Sequence, residues 1–151
     1  MRVVIQKVKS SSVTIDGTVK SSINKGLMIL FAVNANDNLA DMDWLVQKIV
    51  NLRIFEDADG VMNRSVLDEN GEILVVSQFT LYAKTKKGNR PSYIDSAKGD
   101  VAEPVYEDFV KRLSVALGKE VKTGTFGADM QVSLVNDGPT TIIIDTLNKD
   151  L

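Results

Sequence analysis

Two short polar segments interrupt otherwise apolar stretches, and both carry residue types able to do chemistry: Ser77-Gln78-Phe79-Thr80-Leu81 and Asn136-Asp137-Gly138-Pro139-Thr140-Thr141. In the first, two hydroxyls and an amide interrupt an otherwise apolar run. Buried groups of that kind cost stability unless they find partners. Two readings stand side by side. Either Ser77, Gln78 and Thr80 satisfy loop backbone within the core, or they line a polar pocket whose main-chain N–H groups face a reacting carbonyl. The second segment separates two apolar stretches, and its Gly138-Pro139 pair can be an ordinary turn. Proline also admits a cis bond at modest cost. A cis Gly138-Pro139 unit would turn two successive carbonyls to one side, a rigid acceptor pair able to read an amino group or exclude a side chain.

The chain contains no His and no Cys. The commonest general base and the commonest metal ligand are therefore both missing. Ser-His and Cys-His nucleophilic arrangements are impossible, and so is a zinc held by imidazole or thiolate. No tight acidic cluster suggests an all-carboxylate site, so no metal and no cofactor is expected. Asp57-Ala58-Asp59 reads as turn chemistry. Thr80 is a candidate nucleophile, but an unassisted hydroxyl is a poor one and no base stands beside it in sequence. A basic stretch, Lys84, Lys86, Lys87 and Arg90, has no intervening acid. It reads either as a solvated loop or as a phosphate contact.

These segments must be positioned by a scaffold of ordinary composition. A chain of 151 residues, 44% hydrophobic and 25% charged, can bury one core, so a single domain over 1–151 is expected, with 148–151 as a fraying tail. The net charge of −2 argues against a general nucleic-acid binder, and any RNA contact must come from a local patch. No apolar run reaches the length of a membrane span, nor is a secretory leader visible, so the cytoplasm is the expected location.

Val3, Ile5 and Val8, then Ser12 to Ile15, read as strand. Asp16-Gly17 is a two-residue hairpin signal leading into Thr18 to Lys20. Leu27 to Val33 reads as a strand buried on both faces. The three- and four-residue spacing of Leu39, Met42, Leu45, Val46, Ile49 and Val50 predicts a helix over 38–52, capped by Asp37 or Asn38. A short strand at Ile54-Phe55 and a turn at Asp59-Gly60 come next. Ile73 to Tyr82 reads as one long buried strand. A second helix is predicted from Val101 to Leu117, with an Asp100/Glu103 capping box, a buried stripe of Val105, Phe109 and Leu113, and Gly118 as its stop. Strands near Val121–Phe126, Gln131–Val135 and Thr141–Thr146 complete an α+β domain with two main helices and a mostly antiparallel, barrel-like sheet.

Taken together, the two polar segments resemble the paired signatures of the D-aminoacyl-tRNA deacylase family. Arg2-Val3-Val4-Ile5-Gln6, Arg53-Ile54-Phe55, Gly88-Asn89-Arg90-Pro91-Ser92 and Gly127-Ala128-Asp129-Met130 match that family in order, from Met1 to about Ile144. The resemblance implies a hydrolase that cuts the ester joining a D-amino acid, or glycine, to tRNA. It implies a homodimer in which Ser77, Gln78, Phe79 and Thr80 line the reaction site. A cis Gly138-Pro139 unit from the other subunit would block the side chain of an L-amino acid, and Phe126 and Met130 would line the pocket of the terminal adenosine. Lys84, Lys86, Lys87 and Arg90 would then meet tRNA phosphates, and DNA is not an expected partner. One departure is visible. The family has Arg after the glutamine at position 6, where it helps hold the Gly-Pro loop, and this chain has Lys7, a point charge in place of a planar fork.

With no base in reach, the substrate's own ribose 2′-hydroxyl is the expected source of help for the attacking water. The protein would position the ester and present main-chain donors near Phe79 and Thr80. A non-catalytic RNA- or DNA-binding dimer is the competing class. It would use the same basic loop, but it gives no reason for a polar insertion in a core strand.

Overall fold

The computed structural model covers residues 1–151. Its longest early element is β1, Arg2–Ile15, in which Val3, Ile5, Val8 and Val13 are fully buried. Asp16 (φ 50°) and Gly17 (φ 78°) make the left-handed two-residue turn that the Asp-Gly pair signals, and β2 (Thr18–Ile23) returns antiparallel. The next strand, β3 (Gly26–Ala32), pairs antiparallel with the first half of β1.

A 3-10 turn at Leu39–Asp41 leads into helix α1, Met42–Asn51. Asn38 caps that turn, its Oδ1 accepting from the Ala40 amide at 3.1 Å. Asp37, the other predicted cap, instead holds the Met1 amino group and the Asn34 amide. The short strands β4 (Phe55–Glu56) and β5 (Met62–Arg64) form a separate ribbon. Asp57 turns the chain between them by accepting from the amides of Asp59 and Val61 and from Asn63.

Strand β6, Glu72–Ser77, lies parallel to β3, and β7, Lys122–Thr123, lies parallel to β6. Between them runs helix α2, Gly99–Leu117. The last strand, β8 (Gln131–Asp145), is antiparallel to β1 along almost its whole length. Ser21 Oγ on β2 donates to the Thr123 carbonyl on β7 at 2.6 Å, so the two ends of the sheet nearly meet. The sheet is therefore mixed and nearly closed, with two helices, as an α+β barrel-like domain.

Alternation divides the core. Leu27, Ile29 and Phe31 of β3, with Ile73 and Val75 of β6, face the helices and join Leu45, Ile49, Phe109 and Leu113. Met28, Leu74 and Val76 face the other way, into a smaller cluster with Val8, Val13 and Ile23. β3 and β6 are thus buried on both faces, as their continuous apolar runs require.

Three sequence expectations are corrected. The strand predicted over Ile73–Tyr82 ends at Ser77. The Gln78 amide donates to the Phe31 carbonyl at 2.7 Å, and Phe79–Tyr82 then winds into a 3-10 turn. Helix α2 starts at Gly99, capped by the Lys98 carbonyl, which accepts from Val101 and Ala102; Asp100 lies inside the first turn and makes no side-chain cap. Finally, the two strands predicted on either side of Gly138-Pro139 are one strand with a wide bulge. Between Gln6 and Val8, two residues apart on β1, the partner runs from Thr141 to Asn136, five residues apart on β8. Asp137 to Thr140 must leave the ladder there.

Candidate functional site

Above the ends of β3 and β6 lies a cavity of about 540 Å³. Phe31 to Val33 come from the end of β3, and Val76, Ser77, Gln78 and Phe79 from the end of β6 and the turn after it. Ala102 and Tyr106 line it from the opening of α2. Phe126, Met130 and Val132 line it from the approach to β8. The volume suits one nucleoside-sized ligand.

The floor is aromatic and rigid. Phe31 stacks on Phe109 at 4.2 Å between centroids, and Tyr106 lies 5.7 Å from Phe126. The Tyr106 hydroxyl donates to the Val75 carbonyl at 3.2 Å, and burial pushes its pKa up to about 12, so it stays protonated. Met130 reaches the cavity because residue 124 is glycine. A Cβ at Gly124 would come within 2.3 Å of the Met130 sulfur.

At the mouth, the 3-10 turn presents its two leading main-chain N–H groups, those of Phe79 and Thr80. The first amides of a helical turn have no partner within it. Here the turn's bonds run from Leu81 to the Gln78 carbonyl and from Ala83 to the Thr80 carbonyl. Two side chains fix this turn from outside. Arg2, itself paired with Asp145, donates to the Leu81 carbonyl at 2.9 Å, and Ser96 donates to the Phe79 carbonyl at 2.7 Å. The Gln78 amide side chain donates to the Thr80 hydroxyl oxygen. Thr80 is therefore held as an acceptor by a neutral amide, and its hydroxyl is hydrogen-bonded to no carboxylate or amine. Asp129 is the one carboxylate lining the cavity. No three carboxylates converge anywhere in the chain.

The fold thus brings together Ser77, Gln78, Phe79, Phe126 and Met130, with Thr80 beside them on the same turn. Gly138 and Pro139 do not line the cavity of their own chain. They sit on the β8 bulge, exposed, and their peptide bond is cis. Three side chains tie the bulge down. Asn136 donates to Gln6 and, at 3.3 Å, to Thr141; its carbonyl oxygen accepts from the Thr140 amide at 3.1 Å; Thr141 donates to Gln6 at 2.9 Å. Gly138 has φ 129°, and a Cβ there would come within 2.6 Å of the Thr140 hydroxyl, so the position is closed to side chains. Lys7 takes no part in this network; it is buried with its ammonium 5.8 Å from the Phe55 ring centre.

The four basic residues lie outside the cavity and are exposed. Lys84 is paired with Asp95 at 2.8 Å, whereas Lys86, Lys87 and Arg90 make no ion pair. Sequence reasoning missed Tyr106, although the spacing of Ala102, Tyr106, Phe109 and Leu113 is a helical face. It also missed Arg2 and Ser96, whose roles depend on contacts across the fold.

The molecule is a barrel-like α+β domain whose apolar cavity has a turn with unpartnered main-chain amides beside it and neither His nor Cys in its lining. Residues 4–145 match the family described as D-Tyr-tRNA(Tyr) deacylase. D-aminoacyl-tRNA deacylases of Bacteroides fragilis strain YCH46 and Flavobacterium psychrophilum are 65% and 61% identical over 150 residues, covering 99% of this chain and 100% of theirs. Among solved structures, a c-Myc DNA unwinding element binding protein superposes with TM-score 0.91 at 39% identity, covering 97% of this chain and 99% of that one. A probable eukaryotic D-amino acid tRNA deacylase shares the fold, with TM-score 0.82 at 20% identity and coverage of 95% and 98%. The chain belongs to the D-Tyr-tRNA(Tyr) deacylase family.

Proposed function

We propose that this protein is a D-aminoacyl-tRNA deacylase that hydrolyses the ester of D-aminoacyl-tRNA, and of mischarged glycyl-tRNA, to free amino acid and tRNA. The observation that carries the reading is the turn at Phe79–Tyr82. It follows a core strand at the edge of a nucleoside-sized cavity and leaves the Phe79 and Thr80 amides without a partner in the turn, as donors for an ester carbonyl. Such donors stabilise the oxyanion that forms as water attacks, and losing one typically costs about 100- to 1000-fold in rate.

In this proposal Phe126 and Met130 hold the terminal adenosine. The attacking water is assisted by the neighbouring 2′-hydroxyl of that nucleoside, since Thr80 has no base. The protein acts as a homodimer, and the exposed cis Gly138-Pro139 bulge of one subunit enters the cavity mouth of the other. Its carbonyls occupy the space that an L side chain needs. Rejection by exclusion requires no side-chain pocket, so many D-amino acids are accepted and glycine is not refused. Lys86, Lys87 and Arg90 bind phosphates of the acceptor end, with Lys84 shared with Asp95. No helix is long and apolar enough to cross a membrane, and the tRNA substrate fits a cytoplasmic enzyme.

The test is release of free amino acid from D-Tyr-tRNA, L-Tyr-tRNA and Gly-tRNA. Hydrolysis of the first and third but not the second is expected, and D-Tyr-tRNA ending in 2′-deoxyadenosine should be cleaved very slowly. Normal turnover of the deoxy substrate refutes substrate assistance. Binding of RNA without release of any amino acid supports the non-catalytic reading instead.

A further inference from the structure

We infer that Phe79 and Tyr93 form a stacking site for the unpaired nucleobase that precedes the terminal adenosine, an assignment that rests on the deacylase reading above. Phe79 is 56% exposed and Tyr93 38%, and their rings meet edge to face at 5.0 Å between centroids with 74° between planes. Together they form an open corner: the face of one ring, walled by the other. Ile94 beside them is 76% exposed. Exposed aromatic surface clustered in this way marks a contact site.

The location selects the occupant. The cavity of about 540 Å³ takes one aminoacylated nucleoside, so the preceding nucleotide must cross its rim. Phe79 is part of that rim, and Tyr93 continues from it onto the segment that carries Lys86, Lys87 and Arg90. An aromatic shelf flanked by unpaired cations is the arrangement that binds single-stranded nucleic acid, with bases on the rings and phosphates on the lysines and arginines.

The corner is also held in place before any ligand arrives. Lys84 and Ser92 exchange both main-chain bonds, at 2.8 and 3.0 Å, and close the basic loop. The Ser96 amide donates to the Tyr93 carbonyl at 3.0 Å, while its hydroxyl donates to the Phe79 carbonyl at 2.7 Å. Ser96 thereby ties the segment bearing one ring to the turn bearing the other. A site organised in advance loses less entropy on binding.

The experiment compares wild type, Tyr93→Phe and Tyr93→Ala on three substrates: D-Tyr-tRNA, D-Tyr-tRNA lacking the base next to the terminal adenosine, and 3′-D-tyrosyl-adenosine. Stacking losses at aromatic platforms predict that Tyr93→Ala raises KM for D-Tyr-tRNA by about 5- to 150-fold with kcat unchanged. Tyr93→Phe should match wild type. Neither variant should alter kcat/KM for 3′-D-tyrosyl-adenosine, and the abasic substrate should show a wild-type KM already raised and no further change in Tyr93→Ala. An unchanged KM for D-Tyr-tRNA in Tyr93→Ala overturns the inference, as does an equal loss on the abasic substrate. A fall in sedimentation coefficient for Tyr93→Ala also overturns it, because the corner is then a subunit contact. If wild type cleaves none of the three substrates, it is the deacylase reading that fails.

Discussion

Residue identity decides what this site can do. Thr80 sits where a nucleophile would, yet its hydroxyl oxygen accepts from the Gln78 side chain and no imidazole or thiolate exists in the chain. Thr80→Ala should therefore keep activity within about tenfold of wild type, whereas loss of a main-chain donor should cost about 100- to 1000-fold. Phe79→Pro removes that donor together with the ring, and Phe79→Ala removes the ring alone. Proline fits the first position of a helical turn, so kcat should fall in Phe79→Pro well beyond any fall in Phe79→Ala, and the difference between the two belongs to the N–H. If Thr80→Ala abolishes turnover with binding intact, the hydroxyl is the nucleophile. Tyr106 gives a pH prediction of known sign. Burial raises its pKa to about 12 from the ordinary 10. The unfolded chain ionises first, so this group's contribution to stability is whole below pH 10 and is lost as pH rises towards 12. Urea midpoints should fall over that window in wild type and less in Tyr106→Phe. Parallel curves for the two proteins would show that Tyr106 is not the group responsible.

At the scale of elements, what was legible in sequence is what depends on local pattern. The Asp16-Gly17 hairpin, the helix with its stripe at Leu45, Val46 and Ile49, the Val105, Phe109 and Leu113 face and the Gly118 stop all follow from spacing and conformational preference, and all are present. What failed depended on partners distant in sequence. Nothing between Ile73 and Tyr82 says that the strand stops at Ser77; that is set by the Gln78 amide meeting the Phe31 carbonyl, 47 positions back (78 minus 31). Nor could Gln131–Asp145 be read as one strand, because β1 spans the bulge from the other side. The polar segments pointed to a site only as a pair, since the first alone reads more readily as a satisfied core and the second as an ordinary turn. The bulge supports a prediction of its own. Asn136 bonds to Gln6, Thr141 and the Thr140 amide, so Asn136→Ala leaves a nearly buried amide without its acceptor. A stability loss of about 1–3 kcal/mol is expected. In the deacylase reading, discrimination between D- and L-Tyr-tRNA should fall at least about tenfold while the D rate changes little. Discrimination that survives with a lowered Tm would make Asn136 a purely structural residue.

For the whole molecule, the net charge of −2 gives no long-range attraction for RNA, so in the deacylase reading tRNA must be held by local contacts. The cavity of one chain contains neither Gly138 nor Pro139, so a site that sorts mirror images by this bulge must be completed by a second copy. Mixed dimers test this directly. The Asn136→Ala subunit has an intact turn and a loosened bulge, and its homodimer should hydrolyse L-Tyr-tRNA. The Phe79→Pro subunit has an intact bulge and a disabled turn, and its homodimer should hydrolyse almost nothing. When the two exchange, each working turn faces a well-held bulge from its partner. A large excess of the Phe79→Pro chain should therefore suppress L-Tyr-tRNA hydrolysis while D-Tyr-tRNA hydrolysis persists, per mole of the Asn136→Ala chain. A bulge acting on its own chain's turn predicts something different. Each Asn136→Ala turn would keep its own loosened bulge, and the ratio of L to D hydrolysis would not move however much of the second chain is added.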